Sequence, residues 1–192
     1  MVDTLPEVPG LEPLFGDVVA HCPFCHGFEF SGTPVAILGA GPHAAMLAGM
    51  VGPIASAVTV LTGGEDLDDD LTKQLDRLDV AVRTEPVRAV GRSSLGLDLT
   101  LEGGDTLDLG GLFVAPTWQQ ATPFAEQLEL EMAESGAVAV DGMGRTNLPG
   151  VYAAGDMSQG PGLQMPLSSV LTAAASGLVA GATVIHDSVS AG

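Results

Sequence analysis

From Thr33 onward the chain alternates short, unbroken apolar runs with glycine turns and polar helical segments. Pro34-Val35-Ala36-Ile37-Leu38 is one such run, closed by Gly39-Ala40-Gly41-Pro42-His43-Ala44, and Ala44 to Val51 has helical composition. Ala57-Val58-Thr59-Val60-Leu61 is the next run. Apolar runs of this length, bounded by glycine, predict strands buried on both faces of a parallel sheet. Between Asp66 and Leu78, Leu67, Leu71, Leu75 and Leu78 recur at spacings of 4, 4 and 3. That stripe predicts a helix whose leucines face the core while Asp68, Asp69, Asp70 and Lys73 face water.

Short strands are expected at Val80-Ala81-Val82, Val87-Arg88-Ala89-Val90, Leu97-Asp98-Leu99-Thr100-Leu101 and Thr106-Leu107-Asp108-Leu109. The last two flank Gly103-Gly104 and read as a hairpin. Leu112-Phe113-Val114-Ala115 ends at Pro116, where a second block begins. It holds a strand at Ala137-Val138-Ala139-Val140, a turn at Asp141-Gly142-Met143-Gly144-Arg145, the run Gly150-Val151-Tyr152-Ala153-Ala154-Gly155-Asp156 and an Ala-rich helix from Ser168 to His186. The opening, with Pro6, Pro9, Gly10, Pro13 and Gly16, reads as a connector. The pattern therefore predicts an α/β fold: a connector over 1–33, an α/β domain with a small β-hairpin insertion over 34–115, and a second block over 116–192.

Composition narrows this picture. With 46 % hydrophobic residues and a mean hydropathy of +0.35, the chain of 192 residues is not intrinsically disordered. Aromatic content of 4 % beside 26 glycines suits α/β architecture better than a β-sandwich. Lys+Arg 6 against Asp+Glu 24 leaves a net charge of −18 and a pI near 4.1. Such a field repels phosphate backbones and anionic lipid, which argues against nucleic-acid and membrane partners. Residues 30–64 and 157–186 carry no formal charge, but Gly and Pro interrupt both, so they read as buried core rather than membrane spans. No basic segment leads into an apolar core at Met1, so the cytoplasm is the expected compartment.

Two motifs carry chemistry. The turn Gly39-Ala40-Gly41-Pro42-His43-Ala44 matches G-x-G-x-x-A between a strand and a helix, the context in which backbone amides and a helix N-terminus hold a pyrophosphate. The same turn also serves plain helix–strand packing. After the second strand, Thr62-Gly63-Gly64-Glu65-Asp66 brings no Arg for a 2′-phosphate, whereas Glu65 or Asp66 suits ribose hydroxyls. His21-Cys22-Pro23-Phe24-Cys25-His26-Gly27 contains the only two cysteines, as C-x-x-C with a histidine on each side. Haem attachment, a zinc site, a redox dithiol and a pair of inert thiols all remain open for it. Export for haem and further ligands for zinc are not visible, and a dithiol suits a neighbouring βαβ unit.

Cys-Pro-Phe-Cys-His-Gly, then Gly-Ala-Gly-Pro-His-Ala, then Gly-Arg-Thr-Asn-Leu-Pro-Gly-Val-Tyr-Ala-Ala-Gly-Asp stand in the order found in thioredoxin reductase-like flavoproteins. The chain resembles their branch with a Cys-Pro-x-Cys-His-Gly centre, which includes dithiol oxidases that close disulfides in natural products such as holomycin and gliotoxin. The resemblance covers nearly the whole chain. It implies that Cys25 faces the flavin and forms the charge-transfer thiolate, that Cys22 attacks the substrate, and that His26 moves protons. It places Gly155 and Asp156 in the flavin site, with Asp156 on the ribityl chain. Ser169 and Val170, at the start of the closing helix, would lie against the pyrimidine ring, where a positive helix end favours the reduced flavin. Gly39, Gly41 and Ala44 would line the pyridine-nucleotide turn. Residues 34–115 are then a Rossmann-like pyridine-nucleotide-type domain and 116–192 a truncated carboxyl-terminal FAD-domain remnant.

The sequence departs from that family at three places. No G-x-G-x-x-G precedes Cys22, so half an FAD site is expected, completed by a protein partner that carries the amino-terminal half; a homo-oligomer is compatible but supplies no missing half. Acidic residues after Gly64 disfavour NADPH and leave NAD(P)H use open. Ser169 stands where the family has glutamine, after a longer loop over 158–165. The expected function is thiol–disulfide oxidoreduction on a small-molecule or thioredoxin-like dithiol or disulfide, with electrons passing through Cys22–Cys25 to FAD and on to oxygen or a nicotinamide. The other reading is a flavin-free accessory subunit, a small-molecule binding protein, or a cofactor-independent biosynthetic enzyme with His26 or His43 as base.

Overall fold

The computed structural model describes residues 1–163 and 165–190. Its strands are β1 (Val2–Thr4), β2 (Val19–Ala20), β3 (Pro34–Leu38), β4 (Ala57–Leu61), β5 (Ala81–Arg83), β6 (Val87–Arg92), β7 (Leu97–Leu101), β8 (Thr106–Leu109), β9 (Gly111–Val114), β10 (Thr117–Gln119), β11 (Val138–Ala139) and β12 (Ser158–Gln159). Its helices are α1 (Pro23–His26), α2 (Pro42–Val51), α3 (Asp69–Arg77), α4 (Phe124–Gln127) and α5 (Val170–Ser190). One compact unit comprises Leu5–Pro116; the other joins Met1–Thr4 to the chain from Thr117 onward.

The Leu5–Pro116 unit is built on a five-stranded parallel sheet in the order β2-β9-β3-β4-β5. Alternate residues of a strand face opposite sides, and the two sides collect separate cores. Val35 and Ile37 join Ala44, Leu47, Ala48 and Val51 of α2 and Leu71 and Leu75 of α3. Ala36, Leu61, Leu112 and Val114 join Leu97, Leu99 and Leu101 of the antiparallel sheet β6-β7-β8. The α/β class and the β7–β8 hairpin are as expected. Helix α3 starts at Asp69 rather than Asp66 because Asp68 caps it, its Oδ1 accepting the Leu71 amide at 2.7 Å.

The connector reading of residues 1–33 is corrected. Leu11 and Val19 are fully buried in the second core with Leu14 and Val18, and β2 pairs in parallel with β9 at the sheet edge. Prolines and glycines here bend the chain around the sheet, and the apolar residues between them cover a face that β3, β4 and β9 leave open. Val2–Thr4 belongs to the other unit, as β1 antiparallel to β10.

In that other unit a small core of Ala125, Val138 and Ala153 lies beside the parallel pair β11–β12. The reading of 157–186 as buried core and broken by glycine is also corrected. Helix α5 runs unbroken through Gly177 and Gly181, each costing about 1 kcal/mol relative to Ala without ending the helix. Only Ala180 and Thr183 of α5 are buried, and by length and composition it is long and apolar enough to cross a membrane. Its inward stripe is small and polar, and its outward stripe is apolar: Leu171, Leu178, Ile185 and Val189 are all more than 60 % exposed.

The end of α5 is held by Asp187, which accepts from Arg145 Nε and Nη2 at 2.6 and 2.7 Å and from the Tyr152 hydroxyl at 2.9 Å. The Arg145 guanidinium foremost, then His186 and Tyr152, hold this carboxyl well below the usual carboxylate range. A depressed folded pKa gives stability that is present above the unfolded value and is lost only as pH falls through the folded one. The last turns of α5 should therefore stay attached through pH 4 and detach in stronger acid. Asp187→Asn should release them at neutral pH, read as at least about tenfold faster amide exchange there; unchanged exchange would assign the anchoring elsewhere.

Candidate functional site

The two cysteines open and close the single turn of α1. Cys22 is extended and precedes Pro23, whose missing N–H suits the first helical position, and the Cys25 and His26 amides both donate to the Cys22 carbonyl at 3.2 Å. This turn brings Sγ of Cys25 to 3.0 Å from Sγ of Cys22, to which it donates. That hydrogen bond, then burial, then the charge of Cys22 raise the Cys25 thiol above its ordinary value. Cys22 is half-buried and Cys25 exposed. His26 is half-buried, with Nδ1 buried and without a hydrogen-bond partner among the described residues. Phe24 and Phe28 flank the dithiol with 86 % and 83 % of their surfaces exposed.

Packing of α1 against α2 sets this turn beside the glycine turn. His21, stacked on Phe15 at 5.9 Å, stands near enough to His43 for its charge to add to burial in lowering the His43 pKa. This histidine pair is invisible in the linear spacing. Gly39 adopts φ +146°, open to glycine alone, and a Cβ on either Gly39 or Gly41 would meet nothing within 4 Å. Gly41 begins α2 without a side-chain cap, and Pro42 has no N–H. The turn thus presents open backbone at an uncapped helix start, which fits a pyrophosphate. Ala44 lies differently: it is buried in the core, its amide bonded to the Gly41 carbonyl, and serves helix–sheet packing. Thr62 is buried with an unpartnered hydroxyl, whereas Gly63, Gly64, Glu65 and Asp66 are exposed at the same carboxyl edge of the sheet.

In the other unit Gly155, at φ +70°, donates its amide to Ser176 Oγ of α5 at 3.0 Å and leaves the Asp156 carboxylate exposed. Ser169 caps α5, its Oγ accepting the Thr172 amide at 3.1 Å, and Val170 is exposed. Gly155 and Asp156 are tied to the first half of α5, and an exposed acceptor beside a helix start fits one wall of a flavin site. Gln164, within the 158–165 loop, lies outside the described residues.

Comparison with known proteins covers most of the chain. The family model for pyridine nucleotide-disulphide oxidoreductase matches residues 2–177. An alkyl hydroperoxide reductase component from Staphylococcus aureus (strain MRSA252) is 28 % identical over 171 residues, 84 % of this chain and 34 % of its own. Thioredoxin reductase sirT of Leptosphaeria maculans is 30 % identical over 198 residues, 95 % of this chain and 59 % of its own. The solved structure of a putative thioredoxin reductase, TrxB, from Bacillus anthracis superposes with a TM-score of 0.84 at 26 % identity, covering 99 % of this chain and 63 % of that one. The chain thus spans from about a third to about three fifths of the length of these relatives.

Proposed function

As a member of the pyridine nucleotide-disulphide oxidoreductase family, of thioredoxin reductase-like type, the chain carries, we propose, the dithiol-bearing portion of a cytoplasmic thiol–disulfide oxidoreductase. The observation that carries this reading is the 3.0 Å contact between Cys25 and Cys22 on one helical turn. In the oxidase direction a substrate thiolate attacks Cys22 Sγ of the Cys22–Cys25 disulfide, and the S–S bond breaks to release Cys25 as thiolate. The second substrate thiolate then attacks the substrate sulfur of the mixed disulfide and releases Cys22. Two electrons and two protons leave the substrate dithiol, which becomes a disulfide, while Cys22 and Cys25 become thiols; His26, next to Cys25 in the chain, is the residue proposed to relay one of those protons. FAD, when bound, would supply the acceptor for those electrons. Asp156, Gly155, Ser169 and Val170 would make one wall for it, and Gly39, Gly41 and the start of α2 would hold a nicotinamide dinucleotide's pyrophosphate.

The remainder of the flavin site comes in this proposal from residues equivalent to the part of the relatives that this sequence leaves unmatched. The outward apolar stripe of α5 supports that reading, because side chains as large as Leu171 and Leu178 lose favourable burial when left in water. Thiol counting tests the central claim. Cys22 and Cys25 should titrate as two thiols after mild reduction and as none in an oxidising glutathione buffer, reversibly; two free thiols in that buffer, in a folded chain, would remove the redox role.

A further inference from the structure

Among the six Lys and Arg residues of the sequence, Arg83 lies beside the turn that follows β4, and its side chain is engaged with carboxylates. It ends β5, in parallel register with Leu61 at the end of β4, and its carbonyl accepts the Thr62 amide at 2.9 Å. The turn after β4 and the turn after β5 therefore run side by side: a Cβ on Gly64 would touch Thr84 and Pro86 at 4.0 Å. Both lie at the carboxyl edge of the sheet, where open α/β sheets receive ligands, and Gly39 joins them there by donating its amide to the Leu61 carbonyl at 3.0 Å. The Arg83 guanidinium, only 30 % exposed, donates to Glu85 Oε1 from Nη2 at 2.6 Å, to both Glu85 oxygens from Nε at 3.1 Å, and to Asp105 Oδ2 from Nη2 at 2.8 Å. Asp105 comes from the β7–β8 turn, 22 residues away. Two carboxylates on one guanidinium leave the cluster one negative charge in excess.

We propose that Glu85 and Asp105 set the nucleotide preference of this cleft, by withholding Arg83 from the 2′-phosphate that distinguishes NADPH from NADH. The inference rests on the dinucleotide reading of the glycine turn. A 2′-phosphate brought to the Thr62–Asp66 turn meets exposed Glu65 and Asp66 and an arginine whose Nε and Nη2 are bonded to two carboxylates that more than offset its charge. NADH, which presents ribose hydroxyls there, needs no cation. Charge-assisted Arg83 bonds hold the Glu85 carboxyl down to about 2, so the Arg83–Glu85 pair of this lock persists at neutral pH.

Calorimetric titration of the intact chain with NADH and with NADPH tests this in four proteins: the natural chain, Glu85→Gln with Asp105→Asn, that pair with Arg83→Gln added, and Asp69→Asn with Asp76→Asn on α3. The natural chain should bind NADH in preference to NADPH. The Glu85/Asp105 pair should tighten NADPH at least about tenfold while changing NADH less than about twofold, and adding Arg83→Gln should cancel the gain. The α3 pair removes the same two charges away from Arg83 and should leave the preference unchanged. An equal gain in the α3 pair, or NADPH affinity unchanged in the Glu85/Asp105 pair while NADH still binds, would overturn the lock and leave the dinucleotide site standing. Absence of binding by either nucleotide in all four proteins would overturn the dinucleotide site and the lock together.

Discussion

Replacing Cys22 by serine should reduce exchange with a disulfide substrate to background, a loss of at least about a thousandfold, whereas Cys25→Ser should leave the first step intact and stop the second. The difference follows from the separate roles proposed for the two sulfurs, which lie 3.0 Å apart. In the proposed scheme Cys22 is the attacking sulfur, and Cys25 is the one whose return attack resolves the mixed disulfide. Without Cys25 the adduct on Cys22 has no resolving thiol and accumulates. Mass spectrometry of the chain mixed with an aryl disulfide should show a stable adduct in Cys25→Ser and none in Cys22→Ser. The reverse pattern would exchange the two roles, and equal turnover in both variants would remove thiol chemistry from the function.

Phe113→Ala should be among the most destabilising single truncations in the larger unit. Phe113 is fully buried on β9 between β2 and β3 and meets Phe30 edge to face at 5.6 Å. Truncating such a ring costs about 3–5 kcal/mol through lost transfer energy and the remaining cavity, against a total stability of about 5–15 kcal/mol. Thermal unfolding of the variant should fall by about 10 °C or more. Phe30 closes the turn that follows α1, so the same change should also loosen the dithiol: the variant's thiols should react faster with a small alkylating agent under native conditions. A melting point within about 2 °C of the natural chain would show that the surrounding side chains refill the space.

How much of this was legible beforehand differs element by element. Strands β3 and β4 and the hairpin β7–β8 announce themselves, because an unbroken apolar run or a Gly-Gly turn states its own conformation. The leading segment did not: Leu11, Leu14, Val18 and Val19 are too few and too scattered among prolines for any period, and their burial depends on a sheet face built from residues far along the chain. Helix α5 was legible as a helix, yet its exposed side was not, since alanine and glycine suit a packed and an open face equally.

At the site, the order of the motifs and the C-x-x-C spacing were written in the sequence, because each is a local property of a few consecutive residues. Their meeting was not. The approach of His21 to His43, the clamp of Arg145 on Asp187 across 42 residues, and the capture of Arg83 by Asp105 across 22 arise only when segments distant in the chain fold together. The sequence alone determined which chemical groups the protein owns and which short stretches carry them. Tertiary structure decided which of those groups remain free, because a charge or thiol takes its reactivity from the neighbours within a few ångströms, and those neighbours come from distant parts of the chain.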